Sequence, residues 1–411
     1  MTHQAEHTAA GSVAPPVAAA PEGAAGVDSR AGWLVVAATF VSTFTSFGVV
    51  YSFGAFFRPM ADEFGSERSA TAFFFAITTF LYFGLGVFSG RLADRVGPRR
   101  VLAFGAVMMV AGLLATSRVH ALWVGYITYG IGVGTAVACA YVPMVAAVGG
   151  WFDRYRTTAI GLSVAGIGAG TLVGVPVTER LIDAHGWRDT YVIMAGAAAV
   201  LYAIAAIGAR RPPRSTTAPA PARLRDSIGH NRQFWLLYIS CLVVVLPLFT
   251  PFVFLSDYIK EKGISGSAGL AVGAIGLSSV VGRLGLGALA SRFTPLGVYS
   301  GSFLVMALSF LLWFAAGQSY PVLLVFAVVL GVSYGGFVAL APAVAADLFG
   351  PVGLGGILGA LYTAAGVGGL IGSPLMGALI DRFDYRPTLL ICTALGLVSV
   401  AVLRLVKKAA P

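Results

Sequence analysis

Apolar runs of about twenty residues, separated by short charged or turn-rich breaks, recur twelve times along the chain. Each is long enough to cross a hydrocarbon layer about 30 Å thick as a helix. In the first half they fall at roughly 32–57, 69–90, 99–118, 121–148, 157–182 and 190–209. In the second they fall at about 233–256, 267–291, 296–316, 321–346, 353–380 and 386–405. Residues 210–232 are Arg- and Pro-rich and have no apolar period, so they read as a linker. The pattern predicts an all-α membrane protein of twelve transmembrane helices, arranged as two six-helix bundles, 31–209 and 233–405. Residues 1–30 are rich in Ala, Pro and Gly and carry acids. They lack the basic-then-apolar order of a signal peptide and read as a disordered cytoplasmic tail, with 406–411 a short second one.

Composition agrees with that class. Hydrophobic residues make up 57% of the chain and charged residues 11%; soluble domains carry about a quarter charged residues. The net charge of +10 belongs to loops, where cations set topology, and no basic stretch interleaved with aromatics points to nucleic acid. Placing both termini and the linker inside puts seventeen Lys and Arg on that side against nine outside, which predicts cytoplasmic termini in a plasma (inner) membrane. Cys139, Cys241 and Cys392 sit in apolar runs without metal or disulfide spacing and read as packing residues.

One cation fits neither side. In "AVGAIGLSSVVGRLGLGALASR", Ala271–Arg292, Arg283 stands nine residues before Arg292, about 13 Å along a helix axis. That is too deep for easy snorkelling, and a charge at membrane depth is costly. Packing against backbone carbonyls is one explanation. The other is a functional partner: with no acid well inside a span, that partner is an anion arriving from outside. Asp257, near the outer end of the seventh segment, is the acid closest to being embedded.

Two motifs then narrow the reading. "GRLADRVGPRR", Gly90–Arg100, follows the second segment, and a weaker copy, "GALASRFTPLG", Gly287–Gly297, follows the eighth, with Ser291 in place of Asp. The first resembles the loop signature of the major facilitator superfamily, and the major facilitator fold is what it implies. "WFDRYRTTAIGLSVAGIGAGTLVG", Trp151–Gly174, resembles the helix 5 signature of monocarboxylate transporters through Phe152, Arg154, Arg156, Ala159, Gly161, Ala165, Gly166 and Gly170. "TPFVFLSDYIKEKG", Thr250–Gly263, looks like that family's helix 7 exit.

The resemblance implies that Arg283 binds a substrate carboxylate. It implies that Asp94, Arg95, Arg99, Arg154 and Arg156 gate the cytoplasmic side. Animal members carry an Asp four residues before the Arg and a Lys in helix 1; here those positions hold Ser279 and Tyr51, so proton coupling needs another group. Asp257 is the candidate, against a competing reading as a solvated acid paired with Lys260 or Lys262. Tyr126, Tyr129, Tyr334 and Tyr362 are candidates to donate hydrogen bonds to the substrate, Tyr334 best among them for the Gly331, Gly335 and Gly336 beside it. Pro143, Pro342 and Pro374 are candidate kinks.

The expected function is secondary transport of a small monocarboxylate such as lactate or pyruvate with a proton, by a monomer, without cofactor or metal. An oxalate-like dicarboxylate exchanger would need a second embedded cation. A membrane sensor would need a signalling domain. An enzyme would need a catalytic cluster in the spans.

Overall fold

The computed structural model describes residues 27–213, 231–290, 292–350 and 354–406. Most of the first expected tail, most of the linker and nearly all of the second tail lie outside the described residues. Within them the chain is helical and contains no strand.

The helices, in order, are α1 (Arg30–Phe64), α2 (Arg68–Val96), α3 (Pro98–Thr116) and α4 (Leu122–Trp151). One run, Arg156–Gly208, follows; Gly186 breaks its helical path with φ 79° and ψ 165°, giving α5 (156–185) and α6 (187–208). That positive φ is why a glycine marks the corner. The second half supplies α7 (Arg232–Glu261), α8 (Ala268–Leu289), α9 (Pro295–Ala316), α10 (Tyr320–Phe349), α11 (Leu354–Phe383) and α12 (Tyr385–Leu403). The expected twelve segments are all present.

Most helix packing stays within a half: α1 on the α5–α6 run and α3 on α4 in the first, α8 on α10 and α9 on both α10 and α12 in the second. The halves meet chiefly through α2 on α11 and α5 on α8. Small residues permit the approach. A Cβ on Gly170 would lie 2.2 Å from the Phe44 carbonyl oxygen of α1, and one on Gly168 would lie 2.4 Å from the Gly276 carbonyl oxygen of α8. Without a hydrophobic drive between helices in lipid, such close contact is what holds them together.

An even number of spans leaves both ends of the chain on one face. That terminal face carries Asp28, the α2–α3 turn at Gly97 and the α4–α5 turn at 152–155. The opposite face, the outer one for cytoplasmic termini, carries the turns at 65–67, 117–121, Gly186, 262–267 and 317–319, and Asp384 between α11 and α12.

Candidate substrate site and gates

Arg283 projects between the halves. Its Nη1 donates to the Val164 carbonyl of α5 at 2.8 Å. Its Nε and Nη2 are buried and have no hydrogen-bond partner among the described residues. The backbone-carbonyl explanation thus accounts for one nitrogen of the three. Embedded groups ordinarily satisfy their donors, so two free N–H directions on a permanent cation mark a place for an acceptor.

The space beside them is a cavity of about 40 Å³. That is room for roughly three waters at 10–15 Å³ each. Phe47, Tyr82, Phe83, Tyr141 and Ile167 line it from the first half; Val245, Phe249, Tyr334, Phe337, Val338, Ala341 and Tyr362 line it with Arg283 from the second. Tyr334 and Tyr362 therefore stand where the sequence suggested, but Tyr126 and Tyr129 do not. Tyr126 donates to the Ala70 carbonyl at 2.8 Å, and Tyr129 is enclosed between Phe53, Phe74 and Tyr191. Both fall in a π-helical stretch, Tyr126–Ile131, within the first half. Their place is taken by Tyr82 and Tyr141, which sequence reasoning missed. Tyr141 sits at an interruption of α4, with φ −90° and ψ −68°, two residues before Pro143. The break before a proline was a legible signal for it.

Close packing of α8 on α10 sets Arg283 and Tyr334 side by side. A Cβ on Gly335 would meet the Ser279 carbonyl oxygen at 2.2 Å. The glycines next to Tyr334 thus admit α8 rather than clear open space. Tyr51 shares a 2.8 Å hydrogen bond with the Tyr334 hydroxyl, and the Ser279 hydroxyl turns back to the Gly276 carbonyl at 2.7 Å.

The outer side of the cavity is closed in layers. Tyr51 stacks on Phe252 with ring centroids 4.3 Å apart. Above them Arg68, the first residue of α2, reaches three carboxylates of the second half. Its Nε meets Asp257 at 3.1 Å, its Nη1 meets Asp381 at 3.0 Å, and its Nη2 binds Glu261. Asp257, 3% exposed, also takes Arg58 at 3.4 Å and the Tyr385 hydroxyl at 2.8 Å. It is neither solvated nor paired with Lys260 or Lys262, because α1 and α2 bring two guanidiniums to it from the other half. Both of its carboxylate oxygens are thus held from the first half, Oδ1 by Arg58 and Oδ2 by Arg68.

The terminal face differs. Asp94, Arg95, Arg99, Arg154 and Arg156 are all exposed, and none forms an ion pair across the halves among the described residues. Arg95 offers its carbonyl to Arg211 at 2.5 Å, and the Arg154 amide donates to the Asp28 carboxylate at 3.2 Å. The outer lock is engaged while these residues are not.

A twelve-helix bundle with an embedded arginine in a closed central cavity and a lock on one face defines a membrane transport protein. The family model described as Major Facilitator Superfamily matches residues 39–314 and 286–411, and the chain belongs to that superfamily. Within it the chain is monocarboxylate-transporter-like: it is 30% identical over 374 residues to monocarboxylate transporter 3 of Rattus norvegicus, covering 87% of this chain and 76% of that protein. It is also 28% identical over 358 residues to the agnestins efflux protein of Paecilomyces divaricatus, covering 86% and 82%. The crystal structure of a variant of nucleoside transporter NupG superposes with a TM-score of 0.73 at 14% identity, covering 92% of this chain and all of that one, a likeness of fold. The resemblance read from the motifs is borne out at the level of family. The chain is a transporter and not an enzyme.

Proposed function

We propose that the protein carries small monocarboxylates such as lactate or pyruvate across the plasma membrane by alternating access, with a proton as co-substrate and both termini cytoplasmic. The observation that carries this is the pair of unpartnered guanidinium nitrogens of Arg283 in the central cavity. A carboxylate has two oxygens at the spacing of two guanidinium N–H groups, so it accepts from both at once. The cavity suits a solute of a few heavy atoms. Its tyrosine hydroxyls can donate to a substrate hydroxyl or oxo group without adding charge. The rat relative's name points to the same substrate class. Among the described residues no second cation lines the cavity, which weighs against a dicarboxylate.

Once bound, the anion and Arg283 form a neutral pair, and the halves can rock past it. Arginine side chains do not serve as proton carriers, so a pH-driven carrier needs another group. Asp257 can serve only once Arg58 and Arg68 have released it. The fungal relative described as an efflux protein motivates a second reading, export of a larger product. The test is uptake of labelled lactate, pyruvate and oxalate into proteoliposomes with and without an imposed pH gradient. Lactate or pyruvate accumulation that follows the gradient is expected. Oxalate exchange indifferent to pH, or no uptake of any of the three, would refute the proposal.

A further inference from the structure

The outer lock contains a fourth carboxylate, which forms no ion pair among the described residues. Glu179, near the outer end of α5, is 9% exposed. Its Oε2 accepts the Gly269 N–H, in the first turn of α8, at 2.6 Å. Its Oε1 lies 3.3 Å from the Ser256 hydroxyl of α7. Both partners belong to the second half, so this carboxyl bridges the halves as Arg68 does. The fit is tight: a Cβ on Gly269 would sit 2.6 Å from Oε2.

The charged and titratable groups around Glu179 are few. On its own helix they are Arg180 and Asp183; from α7 comes Lys260; from α10 comes Tyr320, whose hydroxyl is bound to the Ser267 carbonyl at 2.8 Å. Glu179 forms an ion pair with neither Arg180 nor Lys260 among the described residues. Arg180, Asp183 and Lys260 are exposed and flank a cleft of about 450 Å³ that runs from the outer face to Glu179. Water, and with it a proton, has a path to this carboxyl.

Asp257, Glu261 and Asp381 share Arg68; Glu179 is in contact with no cation among the described residues and has only Lys260 across the cleft as a cation to favour its charge. A buried carboxylate without a cation is unfavourable, and the usual escape is to take up a proton. The Gly269 amide favours the anion, but one N–H replaces only part of the lost hydration. In the structure Ser256 donates to Oε1, and the neutral acid keeps both contacts by reversing that one bond. Its carbonyl oxygen accepts from Gly269, and its hydroxyl donates to Ser256.

We propose that Glu179 is the proton-binding site of the outer gate, ionised in water when the halves part there and neutral when they close. One proton from the outer side enters through the cleft at each closure and leaves at each opening. External acid therefore drives the outer gate shut. The inference rests on alternating access but not on the identity of the substrate.

Spin labels on Ala184→Cys and Ser319→Cys, outer-face positions in opposite halves, read the gate as a distance distribution without substrate. Lowering the pH from 8 to 5 should deplete the long-distance population, up to about tenfold for each unit by which the gate states differ in proton affinity. Glu179→Gln mimics the neutral acid, its amide oxygen facing Gly269 and its NH₂ facing Ser256. It should remain in the short-distance state at both pH values. Glu179→Asp keeps a titratable group and should keep a pH response, which guards against a misfolded Gln variant. A Glu179→Gln protein that responds to pH as the wild type does, or a wild type that opens on acidification, would overturn the proposal. Failure to bind lactate would count against the proposed substrate and leave this result standing.

Discussion

Replacing Arg283 by lysine keeps the charge and removes the fork. In the structure, Nη1 is committed to Val164 while Nε and Nη2 are free. A substrate carboxylate that takes both free positions gains two charge-assisted hydrogen bonds, each contributing about 1.5–3 kcal/mol. A lysine ammonium reaching the same cavity replaces one of them. The expected loss is then about 1.5–3 kcal/mol, or roughly 10- to 150-fold in Kd at 1.4 kcal/mol per tenfold. Arg283→Gln loses the charge as well, and its deficit should approach that of both bonds, roughly 10² to 10⁴-fold. Binding is read in detergent from the rise in Tm with added lactate, which grows with the logarithm of ligand concentration over Kd. Size-exclusion profile and ligand-free Tm check that the variants fold. Lactate affinity in a well-folded Arg283→Lys protein equal to that of the wild type would refute the bidentate clamp, and equal affinity in Arg283→Gln would remove Arg283 from the site.

Two further outcomes concern the outer lock. Arg68→Ala deletes contacts to three carboxylates at once while Asp257 keeps Arg58 and Tyr385; with Arg68 28% exposed, the closed state should lose about 1–3 kcal/mol, and cysteine labelling of Phe252→Cys from the outer side should speed up roughly 5- to 150-fold. An unchanged labelling rate would mean that the ion pairs do not hold the gate. Asp257→Asn should leave lactate affinity within about twofold and open the same gate, and combined with Arg68→Ala it should fall short of additivity by about 0.5 kcal/mol or more, because the two share one contact; strict additivity would show that they act apart.

Much of this protein was legible in one dimension. Hydrocarbon thickness imposes a length on every span, so twelve apolar runs could be counted directly, and Gly186 fell in the break expected between the fifth and sixth. Arg283 was legible for the same reason: a charge at membrane depth is rare enough to stand out alone. The tyrosines were not. Apolar runs carry no signal of which face of a helix meets the other half, so Tyr126 and Tyr129 looked as eligible as Tyr82 and Tyr141 until the π-helical stretch and the break before Pro143 fixed their directions. Glu179 lies three residues from the expected end of its segment, where an acid carries no sign of burial; its contacts with Gly269 and Ser256 exist only once the halves pack. The partners of Asp257 were equally hidden. Lys260 and Lys262 are near in sequence, but Arg58 and Arg68 reach it from the other half of the chain, about two hundred residues away. Span count and the embedded cation follow from solvation, which acts on each segment by itself. The cavity lining and the lock depend on which helix faces which, and that is decided only when the two halves pack together.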